Sequence, residues 1–133
     1  MTRPDDPGTS VLDIRTYKLV PGGRDEFDRI FRESALPMLH RFGIQVVAYG
    51  PSLDDDHYCL VRAFPSAARR EEQLDSLYGS DEWRQNYRDA VIALIDAYHV
   101  VVIRLTPGIR QGLAELNAAA VVRSATTRRS RTT

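Results

Sequence analysis

The residue types best suited to chemistry stand in one row. Within VLDIRTYKLV, residues 11 to 20, strand alternation places Val11, Asp13, Arg15, Tyr17 and Leu19 on a single face. A carboxylate, a guanidinium and a phenol side by side are costly to bury unless they satisfy one another or meet a wet cavity. Two readings follow. In the first, Arg15 binds an anionic or carbonyl oxygen, Tyr17 donates a proton or hydrogen bond, and Asp13 orients Arg15. In the second, Asp13 and Arg15 form a structural pair and Tyr17 packs at the edge of the core.

Other candidates lie further along. In HYCLVRAF, residues 57 to 64, Tyr58 and Arg62 alternate on one face and could join the first row if the two sets meet, but the sequence leaves that register open. Trp83 and Tyr87, one helical turn apart, could clamp a flat ligand or serve as ordinary core anchors. Cys59, flanked by large apolar residues, reads as a small buried hydrophobe rather than a nucleophile. The three histidines, His40, His57 and His99, titrate in the right range for acid–base work but stand on separate elements. No pair has metal-ligand spacing, and H-E-x-x-H, C-x-x-C, G-x-S-x-G and phosphate-loop motifs do not occur. No metal and no cofactor is expected.

The elements that must position these residues follow from hydrophobic period. Strand one ends at Pro21-Gly22-Gly23. From Arg24 the apolar residues Phe27, Ile30, Phe31, Ala35, Met38, Leu39 and Phe42 recur at helical steps, with Pro37 predicting a kink and Gly43 a left-handed stop. Residues 44 to 52 read as strand two, Asp54 to Asp56 as a hairpin tip, and residues 57 to 64 as strand three. Ser66 is a candidate helix cap and Ser80, after Gly79, a second. Trp83, Tyr87, Val91, Leu94 and Ile95 form the last helical stripe, and residues 98 to 105 the fourth strand. The order βαββαβ predicts a ferredoxin-like α+β fold, a four-stranded antiparallel sheet with helices on one face. Strand one is then central. The other face would be bare, yet strand four is apolar on both sides, with Val100 and Val102 pointing one way and Val101, Ile103 and Leu105 the other. Strand two places Ile44 and Val46 on one side and Val47 and Tyr49 on the other. A homodimer, sheet face against sheet face, is the expected way to bury such a surface.

Composition is compatible with one ordinary domain. The 133 residues are 43% hydrophobic and 27% charged, with seven prolines, eight glycines and one cysteine. A low-complexity chain, a disulfide scaffold and a zinc ribbon are thereby excluded. No apolar run is long enough for a transmembrane segment, and the opening MTRPDDPGTS lacks the core of a signal peptide, so a cytoplasmic location is expected. The zero net charge conceals an asymmetry. Up to Thr106 there are 13 Lys or Arg against 17 Asp or Glu; from Pro107 there are five Arg against one Glu. The expected organisation is a flexible segment at 1–10, a folded domain at 11–106 and a basic, largely flexible tail at 107–133. Arginines without interleaved aromatics do not argue for nucleic acid.

Several stretches together carry a family likeness. L-D-I-R-T-Y-K-L-V-P-G-G-R-D-E-F, A-L-P-M-L-H-R-F-G-I around Pro37, R-A-F-P-S-A-A-R-R-E, and S-D-E-W-R at Trp83 resemble the NIPSNAP family over residues 11 to 105. The resemblance implies a dimeric α+β barrel, in a superfamily that also contains antibiotic-biosynthesis monooxygenases and haem-degrading enzymes. It implies little about chemistry. The haem-degrading pattern, an asparagine on strand one and a histidine after the tryptophan, is not met. The expected function is a homodimer with a small-molecule pocket, acting as a cofactor-independent enzyme, by proton transfer or monooxygenase-like chemistry, on a hydrophobic or aromatic metabolite. Arg15 and Tyr17 would be catalytic, with Asp13, Tyr58, Arg62, Trp83 and Tyr87 binding the ligand. The alternative is a non-enzymatic module that meets a protein or membrane.

Overall fold

The computed structural model describes residues 10–53, 55–106, 108, 111 and 112. The expected loose ends, and Asp54 in the hairpin tip, fall almost entirely outside them. Strands β1 (Val11–Leu19), β2 (Gln45–Pro51), β3 (His57–Phe64) and β4 (Ile95–Arg104) form one antiparallel sheet in the order β2-β3-β1-β4. The first crossover contains α1 (Arg24–Ile30) and α2 (Leu36–Arg41); the second contains α3 (Ala67–Tyr78) and α4 (Arg88–Leu94). This is the ferredoxin-like α+β arrangement. Among the described residues no helix is long and apolar enough to cross a membrane.

Local chemistry explains most boundaries. Ser66 caps α3, its hydroxyl accepting from the Arg69 N–H at 3.1 Å. Ser80 repeats the device, accepting from Trp83 N–H at 3.2 Å and donating to the Leu77 carbonyl. Gly43 adopts φ +74°, a left-handed stop that a side chain would strain.

A π-helical turn at Phe31–Ala35 closes with the Leu36 N–H on the Phe31 carbonyl, and Pro37 follows it within the helical run from Arg24 to Arg41. Two expectations need correction. Strand four begins at Ile95 rather than Tyr98. The helix passes into the strand at Leu94 without a loop, and Ile95, extended at φ −99° and ψ 121°, pairs with Leu19. Tyr49 does not share a face with Val47. A bulge between Val46 and Ala48 inserts one residue, so Val47 packs on the bare face while Tyr49 turns back onto the Phe31 ring at 5.0 Å.

The main core lies between sheet and helices and includes Phe27, Phe31, Met38, Leu39, Leu60, Phe64, Leu74 and Leu77. A smaller cluster of Leu12, Ala63 and Leu105, with Ile14, Val47 and Val61, lies on the opposite face. There Val101 is 54% exposed and Ile103 41%.

Candidate functional site

The pairing of β1 with β3 determines what the polar row meets. Asp13 stands opposite Arg62, and Tyr17 opposite Tyr58, so the two polar sets share the face beneath the helices. Asp13 and the Arg62 side chain are 0% and 1% exposed, deeper than either could lie unpaired. One carboxylate serves three guanidinium groups. Arg70 Nε donates to Asp13 Oδ2 at 2.8 Å, Arg62 Nη2 to Oδ1 at 3.4 Å, and Arg15 Nη2 lies 3.6 Å from Oδ2.

A phenol completes the cluster. The Tyr78 hydroxyl oxygen accepts from Arg15 Nη1 and from Arg62 Nη1, both at 3.2 Å. The Arg15 guanidinium carbon also lies 6.0 Å from the ring centres of Tyr78 and Tyr98, within reach of cation–π attraction. Burial alone would lower the Arg15 pKa, but Tyr78, Tyr17 and Asp13 beside it raise it above the ordinary value. Burial pushes the Tyr17 phenol up to about 12, with Tyr78 adding to the shift and Arg15 and Arg62 opposing it. Tyr17 is therefore a protonated donor at neutral pH. The Nε atoms of Arg15 and Arg62 are buried and find no hydrogen-bond partner among the described residues.

Above this cluster lies a cavity of about 50 Å3, the space of a few water molecules. Phe27, Ile30, Phe31, Met38, Leu39, Leu77 and Val91 make it largely apolar, while Tyr17, Arg62, Tyr78 and Trp83 supply its polar atoms. Both helical crossovers depart from α geometry beside it. The π turn at Phe31–Ala35 contributes Phe31 and Ala35, and a second, at Trp83–Tyr87, contributes Trp83. Such wide turns are frequent at functional sites.

The structure brings some sequence-predicted residues together and separates others. Tyr17, Arg62 and Trp83 line the cavity; Asp13 and Arg15 stand behind them in the charge cluster. Tyr58 packs its ring against Phe27 and Phe31, and its hydroxyl donates to Asp28 at 2.8 Å. Tyr87 packs against the core from the π turn without lining the cavity. The three histidines stay apart and exposed, and among the described residues no cluster could hold a metal ion. Arg70 and Tyr78 are the members that sequence reasoning missed. Both fall in the apolar stripe of α3 at helical spacing, and a charged residue inside such a stripe was the available signal.

A four-stranded antiparallel sheet carrying helices over a buried guanidinium cluster places the protein in the ferredoxin-like α+β class. The chain belongs to the NIPSNAP family, whose model matches residues 12–108. It is similar in structure to a NIPSNAP-like domain protein from Burkholderia xenovorans, at 15% identity and a TM-score of 0.69, over 75% of this chain and 88% of that one. A NIPSNAP family protein from Agrobacterium tumefaciens aligns at 17% identity and a TM-score of 0.67, over 74% and 88%. A putative antibiotic biosynthesis monooxygenase from Nitrosomonas europaea aligns at 14% identity and 0.60, over 75% and 93%. At these identities the likeness is one of fold. No curated protein matches the chain.

Proposed function

We propose that this chain is a homodimeric small-molecule-binding protein of the NIPSNAP family that acts as a cofactor-independent enzyme on a hydrophobic or aromatic metabolite. The observation that carries this reading is the position of the Asp13–Arg15–Arg62 cluster and the Tyr17 phenol at the polar end of an otherwise apolar cavity. An apolar ligand body would contact Phe27, Phe31 and Met38, and an oxygen atom on that ligand would meet the guanidinium and phenol groups. Tyr17, holding its proton well above neutrality, suits donation of a hydrogen bond to a ligand oxygen, and a fixed guanidinium suits stabilisation of negative charge developing on that oxygen. Arg15 acts as a positioning residue in this arrangement, because its Nη1 bonds the Tyr78 hydroxyl rather than facing the cavity. Polarisation of a ligand carbonyl, its oxygen accepting from these groups, is the chemistry that they favour.

The test is a thermal-shift screen of the protein against hydrophobic and aromatic carbonyl metabolites, repeated on Arg15→Ala and Tyr17→Phe. Asp13 keeps Arg62 and Arg70 when Arg15 is removed, so the first variant should stay folded. Stabilising ligands of the wild type should be lost in both variants while circular dichroism is unchanged. If both variants unfold, the polar row is structural and the proposal fails.

A further inference from the structure

We infer that the ligand of this cavity is a small apolar monocarboxylate, its carboxylate accepting from Arg62 Nε and the Tyr78 hydroxyl. The inference rests on the pocket reading above and narrows it to one ligand class. Three observations carry it. First, the Arg62 side chain is almost wholly buried and lines the cavity, yet its Nε has no partner among the described residues. A buried guanidinium proton without an acceptor carries a desolvation cost, which a ligand oxygen would recover. Second, the Tyr78 oxygen already accepts from Arg15 and Arg62, so its own proton points to some further acceptor. None is found among the described residues. Third, Asp13 is one negative charge among three guanidinium groups, and the described cavity wall contains no carboxylate or imidazole.

The wall therefore offers protons and positive charge and does not take protons up. It suits a ligand that arrives already anionic. A planar carboxylate matches guanidinium geometry. The single cation on the described wall and its apolar remainder favour a monoanion with a compact hydrocarbon part over inorganic phosphate.

Isothermal titration calorimetry at fixed ionic strength tests this with sodium acetate and sodium isobutyrate, the amides acetamide and isobutyramide, and inorganic phosphate. At least one carboxylate should bind, its amide at least tenfold more weakly, and phosphate should fail to displace it. Tyr78→Phe keeps the ring on Trp83 and removes the hydroxyl, with the acceptor it offers Arg15 and Arg62, and should weaken the carboxylate at least tenfold, the low end for a hydrogen bond to a charged group. Equal binding of acid and amide would overturn the carboxylate inference while leaving the pocket reading intact. Displacement by phosphate at similar affinity would overturn it as well. If none of the probes binds, the inference falls, and the pocket reading is then decided by its own metabolite screen.

Discussion

Tyr17 illustrates how a single residue reports on its surroundings. Its phenol lies between burial, which disfavours the phenolate, and two guanidinium groups, which favour it, and burial wins. The folded pKa of about 12 exceeds the ordinary value of 10.0, so the unfolded chain loses this proton first. Stability contributed by the group is complete below pH 10 and is lost as pH rises from 10 to 12, a fall of the order of 2 to 3 kcal/mol. Urea unfolding across that range should show a fall that is smaller in Tyr17→Phe, and the wild-type absorbance change of tyrosine ionisation should keep a component near pH 12. A profile identical in the two proteins would mean that Tyr17 is not buried as described. Tyr58 is pushed up too, by burial and by its bond to Asp28, which is why the variant should reduce the fall rather than abolish it.

At the scale of elements, capping and alternation were legible because each depends on a few neighbouring residues. β3 occupies the residues that its alternation predicted, and Ser66 and Ser80 cap the helical segments after them. Ser66→Ala should lower the unfolding free energy by about 1 kcal/mol, measured by urea denaturation, since the Arg69 N–H loses its acceptor in a residue pair that is partly buried. Three features that escaped sequence reading interrupt a regular period locally. The bulge at Val47 and the two π turns leave composition unchanged and are stabilised by packing against other elements. Tyr49 changed sides for this reason, and Trp83 parted from Tyr87 at the cavity wall.

The whole molecule has two unequal faces. One carries the helices, the cavity and the charge cluster; the other leaves Val101 and Ile103 exposed around Leu12 and Ala63. Apolar strands left open to water favour association, and a second copy offers a matching surface. Ile103→Lys should convert a dimer to a monomer in sedimentation velocity while leaving the cavity on the opposite face able to bind. A wild-type protein that sediments as a monomer at micromolar concentration would exclude the dimer.

The order of strands and helices, the alternation that places Asp13, Arg15 and Tyr17 on one face, and the caps were determined by the sequence, because each is local and repeats with a period of two or about 3.6 residues. Tertiary structure decided that Asp13 faces Arg62, and that α3 lowers Arg70 and Tyr78 onto the same cluster. Those contacts join residues 49, 57 and 16 positions apart, and no local period encodes which surfaces meet when a helix settles on a sheet. A buried carboxylate made the need for partners evident in the sequence; only the packed fold showed that three arginines answer it.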